Sequence, residues 1–268
     1  MQRSPLFHGA RAALVAVLAL SPGLASTALA GDVQSGTVVQ TNSGHVNAVL
    51  NGTIDNVTGA VAVTGAAIGN SLSIVDGGKG CCTASAGNLN ITQLTNYGVA
   101  STVTSTVSDV TGKVDVTSAA IGNSLTSDVG WINNATINQS TAAVDPSATL
   151  NSTITNVSGK VGDTAAALGN SATQIGRIET FNLTQTAAAD NTATLTDKIT
   201  YVTGDVASTG AAIANSASTS GSLGSLTLTQ TNTAWNTSAS VTPTISHITG
   251  AVNATAAAIG NSATITIK

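Results

Sequence analysis

The chain has 268 residues and a formal net charge of −4, with only 7% charged and 2% aromatic side chains, against a usual charged share of about 25%. That composition excludes a core of large side chains and a basic surface for nucleic acid. A hydrophobic fraction of 42% also separates it from disordered polymers, which combine low hydrophobicity with high net charge. What remains is a backbone-rich β architecture of small and β-branched residues.

The N-terminus reads as an export signal. Arg3 and Arg11 flank a start that runs into the apolar stretch at 12–20 (AALVAVLAL), then Ser-Pro-Gly, then Ala28-Leu29-Ala30 as an A-x-A cleavage site. The apolar run is too short for a spanning helix of about 20 residues. Residues 1–30 are therefore expected to be a signal peptide, with a secreted chain beginning at Gly31. No Cys follows the apolar run, so a lipoprotein anchor is not expected.

From 31 to 268 the chain repeats itself. The stretch A-A-I-G-N-S recurs, and its Asn falls at Asn70, Asn123, Asn170, Asn215 and Asn261, with spacings of 53, 47, 45 and 46. A second marker is a Gln in strand-like surroundings, at Gln40, Gln93, Gln139, Gln185 and Gln230. A third is the Gly of V-T-G, V-S-G or I-T-G, at Gly59, Gly112, Gly159, Gly204 and Gly250, each 11 residues before its Asn. A fixed period of this kind marks a solenoid, propeller or array.

Each unit also divides. Thr186 to Leu195 (TAAADNTATL) aligns with Thr164 to Thr173 (TAAALGNSAT), which puts Asn191 and Asn236 in the slot of Asn170. The expectation is an all-β single solenoid: five repeats of about 46 residues, each split into halves of about 23, giving about ten rungs and a rod near 48 Å long. Strand rather than helix follows from period 2. Leu183, Gln185, Ala187, Ala189, Asn191, Ala193 and Leu195 share one parity, while Thr184, Thr186, Thr192, Thr194 and Thr196 occupy the other. Gly, Asn and Thr inside the A-A-I-G-N-S stretches disfavour an Ala-rich helix there.

A solenoid explains why a polar residue recurs at one slot. Buried amides are costly unless paired, and identical Asn or Gln side chains stacked at the strand repeat bond to one another as ladders. The Gln positions read as such ladders. For the Asn of G-N-S two readings stand, a ladder or a turn that tolerates left-handed backbone beside Gly.

Little in the chain points to catalysis, a cofactor or a metal. His8, His45 and His247 have no ligand spacing with one another or with Cys. Asp55, Asp109, Asp163 and Asp205 lie near the V-T-G stretches and read as solvated turn carboxylates, with weak calcium binding as the functional alternative. The step between Asn70 and Gln93 is seven or eight residues longer than in the later copies and carries VDGGKGCCTASAG, read as a loop at about 75–87. It holds Cys81 and Cys82, which are expected to be a loop decoration, a strained vicinal disulfide or an intermolecular bridge. Thr192-Ala-Thr194-Leu-Thr196, Thr227-Leu-Thr229-Gln-Thr231 and Thr264-Ile-Thr266 raise a further alternative, since flat T-x-T arrays resemble the ice-binding faces of antifreeze solenoids.

The pairing of a Gln with an Asn about six residues later, in Gln185-TAAAD-Asn191 and Gln230-TNTAW-Asn236, resembles the repeats of curlin, the bacterial surface-fibre subunit. The A-I-G-N-S copies joined to Thr-rich strands are similar to curli-related and holdfast-anchor surface proteins. The resemblance implies a non-enzymatic structural protein of the cell surface, acting in adhesion, biofilm matrix or fibre assembly. The chain closes on the strand-like ATITIK, where Lys268 is the only blunting charge. Unpaired strand edges are templates for pairing, so stacking end to end on itself, or docking on a related surface or outer-membrane protein, is expected. Extracellular polysaccharide is a further expected partner, and nucleic acid is not.

Overall fold

Thr, Val and Ile favour extended backbone, and period-2 alternation gives each strand one apolar face that must be covered. The computed structural model describes residues 28–30, 35–75, 87–142 and 145–267. Cys81, Cys82, Lys268 and most of the expected export signal lie outside the described residues. Every regular element among the described residues is a strand, and every pairing is parallel.

After the short β1 (Ala28–Ala30), the chain winds in coils of three strand segments. The first coil is β2 (Ser35–Asn42), β3 (Val46–Val57) and β4 (Val61–Val75). The second is β5 (Asn88–Thr95), β6 (Val99–Val110) and the first part of β7 (Val114–Thr141), whose later part opens the third coil. The third continues through β8 (Ser147–Val157) and the first part of β9 (Val161–Ala187). The rest of β9, with β10 (Asn191–Val202) and β11 (Val206–Gly221), makes the fourth coil. The fifth is β12 (Leu223–Asn232), β13 (Thr237–Ile248) and β14 (Val252–Ile267).

Stacking the coils builds three faces. The first runs β2, β5, later β7, later β9, β12. The second is the five-stranded sheet β3-β6-β8-β10-β13, and the third runs β4, early β7, early β9, β11, β14. β1 pairs with Ser73 to Val75 on the outer edge of β4.

The register corrects the rung count. Neighbouring strands pair Val46 with Val99, Ala100 with Ser147, Asn191 with Thr237 and Val206 with Val252, so one turn consumes a whole repeat, not half of one. The described chain makes five coils, stacked to roughly 24 Å at about 4.8 Å each. Asn191 accordingly does not share the slot of Asn170. It sits on the second face beside Thr237, whereas Asn170 sits on the third between Asn123 and Asn215. The two halves look alike because both alternate small inward residues with outward Thr, but the third-face strand of each turn is longer and covers the other two.

The interior is two apolar columns. One lies between the second face and the early part of the third, with Val103, Leu150, Leu195, Val116 and Ala167 fully buried. The other lies between the first face and the late part of the third, with Ile91, Ile137, Leu125 and Phe181. The anticipated parity holds: Leu183, Gln185, Ala187, Ala189, Asn191, Ala193 and Leu195 are buried, and Thr184 and Thr196 are exposed.

The V-T-G glycines line one corner. A Cβ on Gly112, Gly159, Gly204 or Gly250 would lie 2.1, 2.3, 2.4 or 2.4 Å from the carbonyl oxygen of the corresponding glycine one coil below, closer than any side chain allows. Gly159→Ala should therefore lower stability by about 1–3 kcal/mol, read as a fall in melting temperature. Gly44→Ala, whose Cβ meets nothing within 4 Å, should leave it unchanged.

Candidate functional site

The inward positions where the first face meets the third carry amides rather than apolar groups, and they bond along the axis. Gln93 Nε2 donates to Gln40 Oε1 at 2.7 Å, Gln139 to Gln93 at 2.7 Å, Gln185 to Gln139 at 2.7 Å and Gln230 to Gln185 at 2.8 Å. Asn70 Nδ2 donates to Asn123 Oδ1 at 2.8 Å, Asn123 to Asn170 at 2.7 Å, Asn170 to Asn215 at 2.8 Å and Asn215 to Asn261 at 2.8 Å. The Asn of G-N-S thus lies within a strand and in a ladder, not in a turn.

Each amide also clasps the facing strand. The Gln Nε2 groups donate to the carbonyls of Ser71, Ser124, Ser171, Ser216 and Ser262, and the Asn Nδ2 groups to those of Leu94, Ser140, Thr186 and Thr231. These bonds identify the amide nitrogen of each side chain independently of the ladder. The two ladders consequently have opposite polarity: Asn donates toward the C-terminal coil and Gln toward the N-terminal coil. The Gly before each Asn leaves room for the crossing strand, because a Cβ on Gly122 would lie 2.4 Å from Thr141 Cγ2 and 2.5 Å from Gly169 O.

The turn carboxylates divide. Asp55 and Asp109 are exposed, and Asp205 pairs with Lys160 at 2.8 Å. Asp163 does not belong with them. It lies two residues into β9 on the inward parity, level with Val116, and is completely buried. Its carboxylate accepts from the Ser152 hydroxyl, while Oδ1 finds no partner. One coil on, buried Asp197 accepts from Ser208 and also leaves Oδ1 unpartnered. Sequence reading missed this column, which only the parity of β9 and β10 discloses. Burial pushes Asp163 up to about 7, with Asp197 and Asp115 adding to the rise against the lowering by Ser152. Burial likewise raises Asp197, against the hydrogen bond from Ser208.

Outward positions on the third face are also nearly constant. Thr64, Thr117, Thr164, Thr209 and Thr255 stand in one column, Ala66, Ala119, Ala166, Ala211 and Ala257 in the next, and Ile68, Ile121, Leu168, Ile213 and Ile259 beside them. Of the histidines, His45 packs edge-on against Tyr97 and His247 stacks on Tyr201. No group of three metal-ligating side chains occurs among the described residues.

At the corner between the second and third faces, Asn56, Asp109, Asn156, Tyr201 and His247 all take left-handed backbone, with φ of 55, 52, 56, 58 and 57°. The first four border an open groove of about 540 Å³.

A family model described as holdfast attachment protein D matches residues 78–268. The chain belongs to the holdfast attachment protein D family. No curated protein and no solved structure matches it. Membership makes it a holdfast-related adhesion protein, places it at the cell surface or outside the cell, and associates it with other holdfast or surface components. The matched residues make up the second to fifth coils, and the amide ladders run through each of them.

Two outcomes follow from these columns. Asn170→Leu strands Asn123 Nδ2, Asn215 Oδ1 and Thr186 O inside the stack, and should cost roughly 3 kcal/mol or more in a denaturant titration. Asn261→Leu, at the exposed last coil, should cost far less. The second concerns pH. Because Asp163 is raised in the folded chain, folding holds a proton that the unfolded chain releases. Stability is therefore greatest below the ordinary carboxylate range, falls as pH rises toward about 7, and is flat above. The drop is on the order of 4 kcal/mol at most. Melting temperature should be higher at pH 4.5 than at pH 8, and Asp163→Asn should shrink the difference.

Proposed function

We propose that the protein is a structural element of holdfast adhesion that stacks end to end through its open coils, in the manner of a curli-type surface fibre. The observation that carries this reading is the opposed polarity of the two ladders. At the last described coil Asn261 Nδ2 points onward with only a 3.3 Å bond to the Gln230 carbonyl. At the first coil Asn70 donates its own hydrogens inward and presents Oδ1 outward. Joining a last coil to a first coil of another copy sets donor against acceptor in the Asn ladder. Joining like ends with Asn on Asn sets donor against donor or acceptor against acceptor, so only the head-to-tail join continues each ladder on its own kind.

The edges also carry apolar surface that such a contact would cover. Val252 and Ile265 of β14 are 47 and 46% exposed, although Val206 and Thr219, their counterparts one coil below, are buried, and Ile267 beside them is 67% exposed. Unpaired edges with exposed apolar residues favour pairing with a further strand. The expected partner is another copy, with a related surface protein as the alternative acceptor.

A second reading draws on the second face, where Thr102, Thr149 and Thr194 stand in one outward column and Thr53, Thr106 and Thr153 in another. In-register Thr columns favour ice binding, although Asn151 and Lys198 interrupt the grid. Ice-recrystallisation assays decide it, and ordinary crystal growth in the presence of the protein would sink it.

Electron microscopy with size-exclusion of residues 31–268 across a concentration series tests stacking. Rods or filaments that lengthen with concentration are expected, and Asn261→Asp, which replaces the donor by an acceptor, should suppress them. A concentration-independent monomer would overturn the stacking mechanism.

A further inference from the structure

The chain has few aromatic residues, and while Phe181 is buried in the core, three others stand at the surface. Tyr97, Tyr201 and Trp235 are 42, 54 and 98% exposed, Tyr97 and Trp235 between strands and Tyr201 at the end of β10. An exposed aromatic ring in so aromatic-poor a chain is an informative observation, since burial is the default use of such a side chain. Tyr201 is the notable one. In its column the first three coils place Asn56, Asp109 and Asn156, the residue types that best tolerate left-handed backbone. The fourth places a bulky Tyr at φ 58°, where an Asn would be relaxed. A strained conformation persists only where the surroundings enforce it, and such positions gather at binding sites.

That ring stands at one end of the 540 Å³ groove, which is lined by Asn56, Asp109, Thr111, Asn156, Tyr201 and Thr203 among others, with Val57, Val110 and Val157 as its apolar floor. His247 backs Tyr201 with ring centroids 4.6 Å apart and an interplanar angle of 30°, which fixes the ring's orientation. Planar amides, hydroxyls and a carboxylate beside a fixed aromatic plate supply both halves of sugar recognition. The polar groups donate to and accept from hydroxyls, and the ring offers an apolar plate with a polar tip. No Lys or Arg lines the groove, and Asp109 disfavours an anionic ligand. Like groups recur once per coil, at about 4.8 Å, so from Asn56 to Tyr201 the groove extends about 14 Å. That is a site for a polymer of repeating units, laid along the axis.

We propose that this corner is a carbohydrate-binding groove that takes one strand of a neutral polysaccharide, with a sugar ring seated on Tyr201. The proposal rests on the surface-adhesion reading, because it needs an extracellular polymer to meet the groove. It does not need stacking, since the groove lies on the flank of the solenoid and not at its ends.

Affinity electrophoresis of the full exported chain in gels containing laminarin or hydroxyethyl cellulose, with alginate as the anionic comparison, tests it. At least one neutral polysaccharide should retard the protein more strongly than alginate. Tyr201→Asn relaxes the backbone, so it should melt no lower than the native chain while weakening retardation at least tenfold. Asn156→Gly keeps a left-handed residue and removes an amide, and should weaken it about threefold or more. Tyr201→Phe should retain binding, and Trp235→Ala, at the other corner, should leave it unchanged. Retardation by neither neutral polysaccharide, preference for alginate, or native binding by Tyr201→Asn would overturn the groove. Filament formation by a chain that fails to bind would overturn the groove alone, and binding by a chain that stays monomeric would overturn stacking alone.

Discussion

Everything in this molecule depends on a commensurability constraint: a side chain must meet its own counterpart one coil away. Parallel pairing at offsets of 45 to 53 residues places Gln on Gln and Asn on Asn. A primary amide is the group that best exploits such stacking, because it carries a donor and an acceptor and can repeat indefinitely. Leu or Val would pack at the same slot without fixing the axial register. A ladder does fix it, since a one-residue slip would exchange inward and outward faces and leave a row of amides unpaired. The first and third faces are joined by those same amides, so the ladders set both the stacking and the closure of each coil.

Much of the fold was legible because the constraint is written as a period. The spacing of Asn70, Asn123, Asn170, Asn215 and Asn261, and the alternation through Leu183 to Leu195, both follow from residues stacked in parallel register. The subdivision into ten rungs was misleading for a physical reason. Any strand in a thin solenoid takes small inward residues and Thr outward, so Thr164 to Thr173 and Thr186 to Leu195 look equivalent although they lie on different faces. Pairing is a tertiary property, and local composition does not report it. Asp163 was misread in the same way: its nearness to a turn glycine hid a parity that carries it into the core.

The buried acids set a limit on the ladder principle. Asp163 and Asp197 occupy inward positions of consecutive coils, but a carboxylate cannot ladder with another, since it only accepts. Each is instead held by a serine from the opposite face, Ser152 and Ser208, and protonation is the state in which two neighbouring acids can share an apolar interior. Amides stack along the axis and acids bond across it. The same core therefore combines a pH-insensitive clasp on one side with a titratable one on the other.

The outward columns pose a different physical question. Inward identity between coils follows from packing, but packing within one solenoid does not require Thr64, Thr117, Thr164, Thr209 and Thr255 to match on the outside, nor the Ala and Ile columns beside them. Cross-strand neighbours on a pleated surface contribute some of that preference, since like β-branched residues pack well in adjacent strands. The corner of left-handed residues shows the contrary behaviour. There the chain keeps the backbone constant at φ 52 to 58° and varies the side chain, from Asn and Asp to Tyr201 and His247. Where a solenoid holds the backbone fixed and lets the outward side chain differ from coil to coil, surface chemistry can change without disturbing the stack, and this corner is such a place.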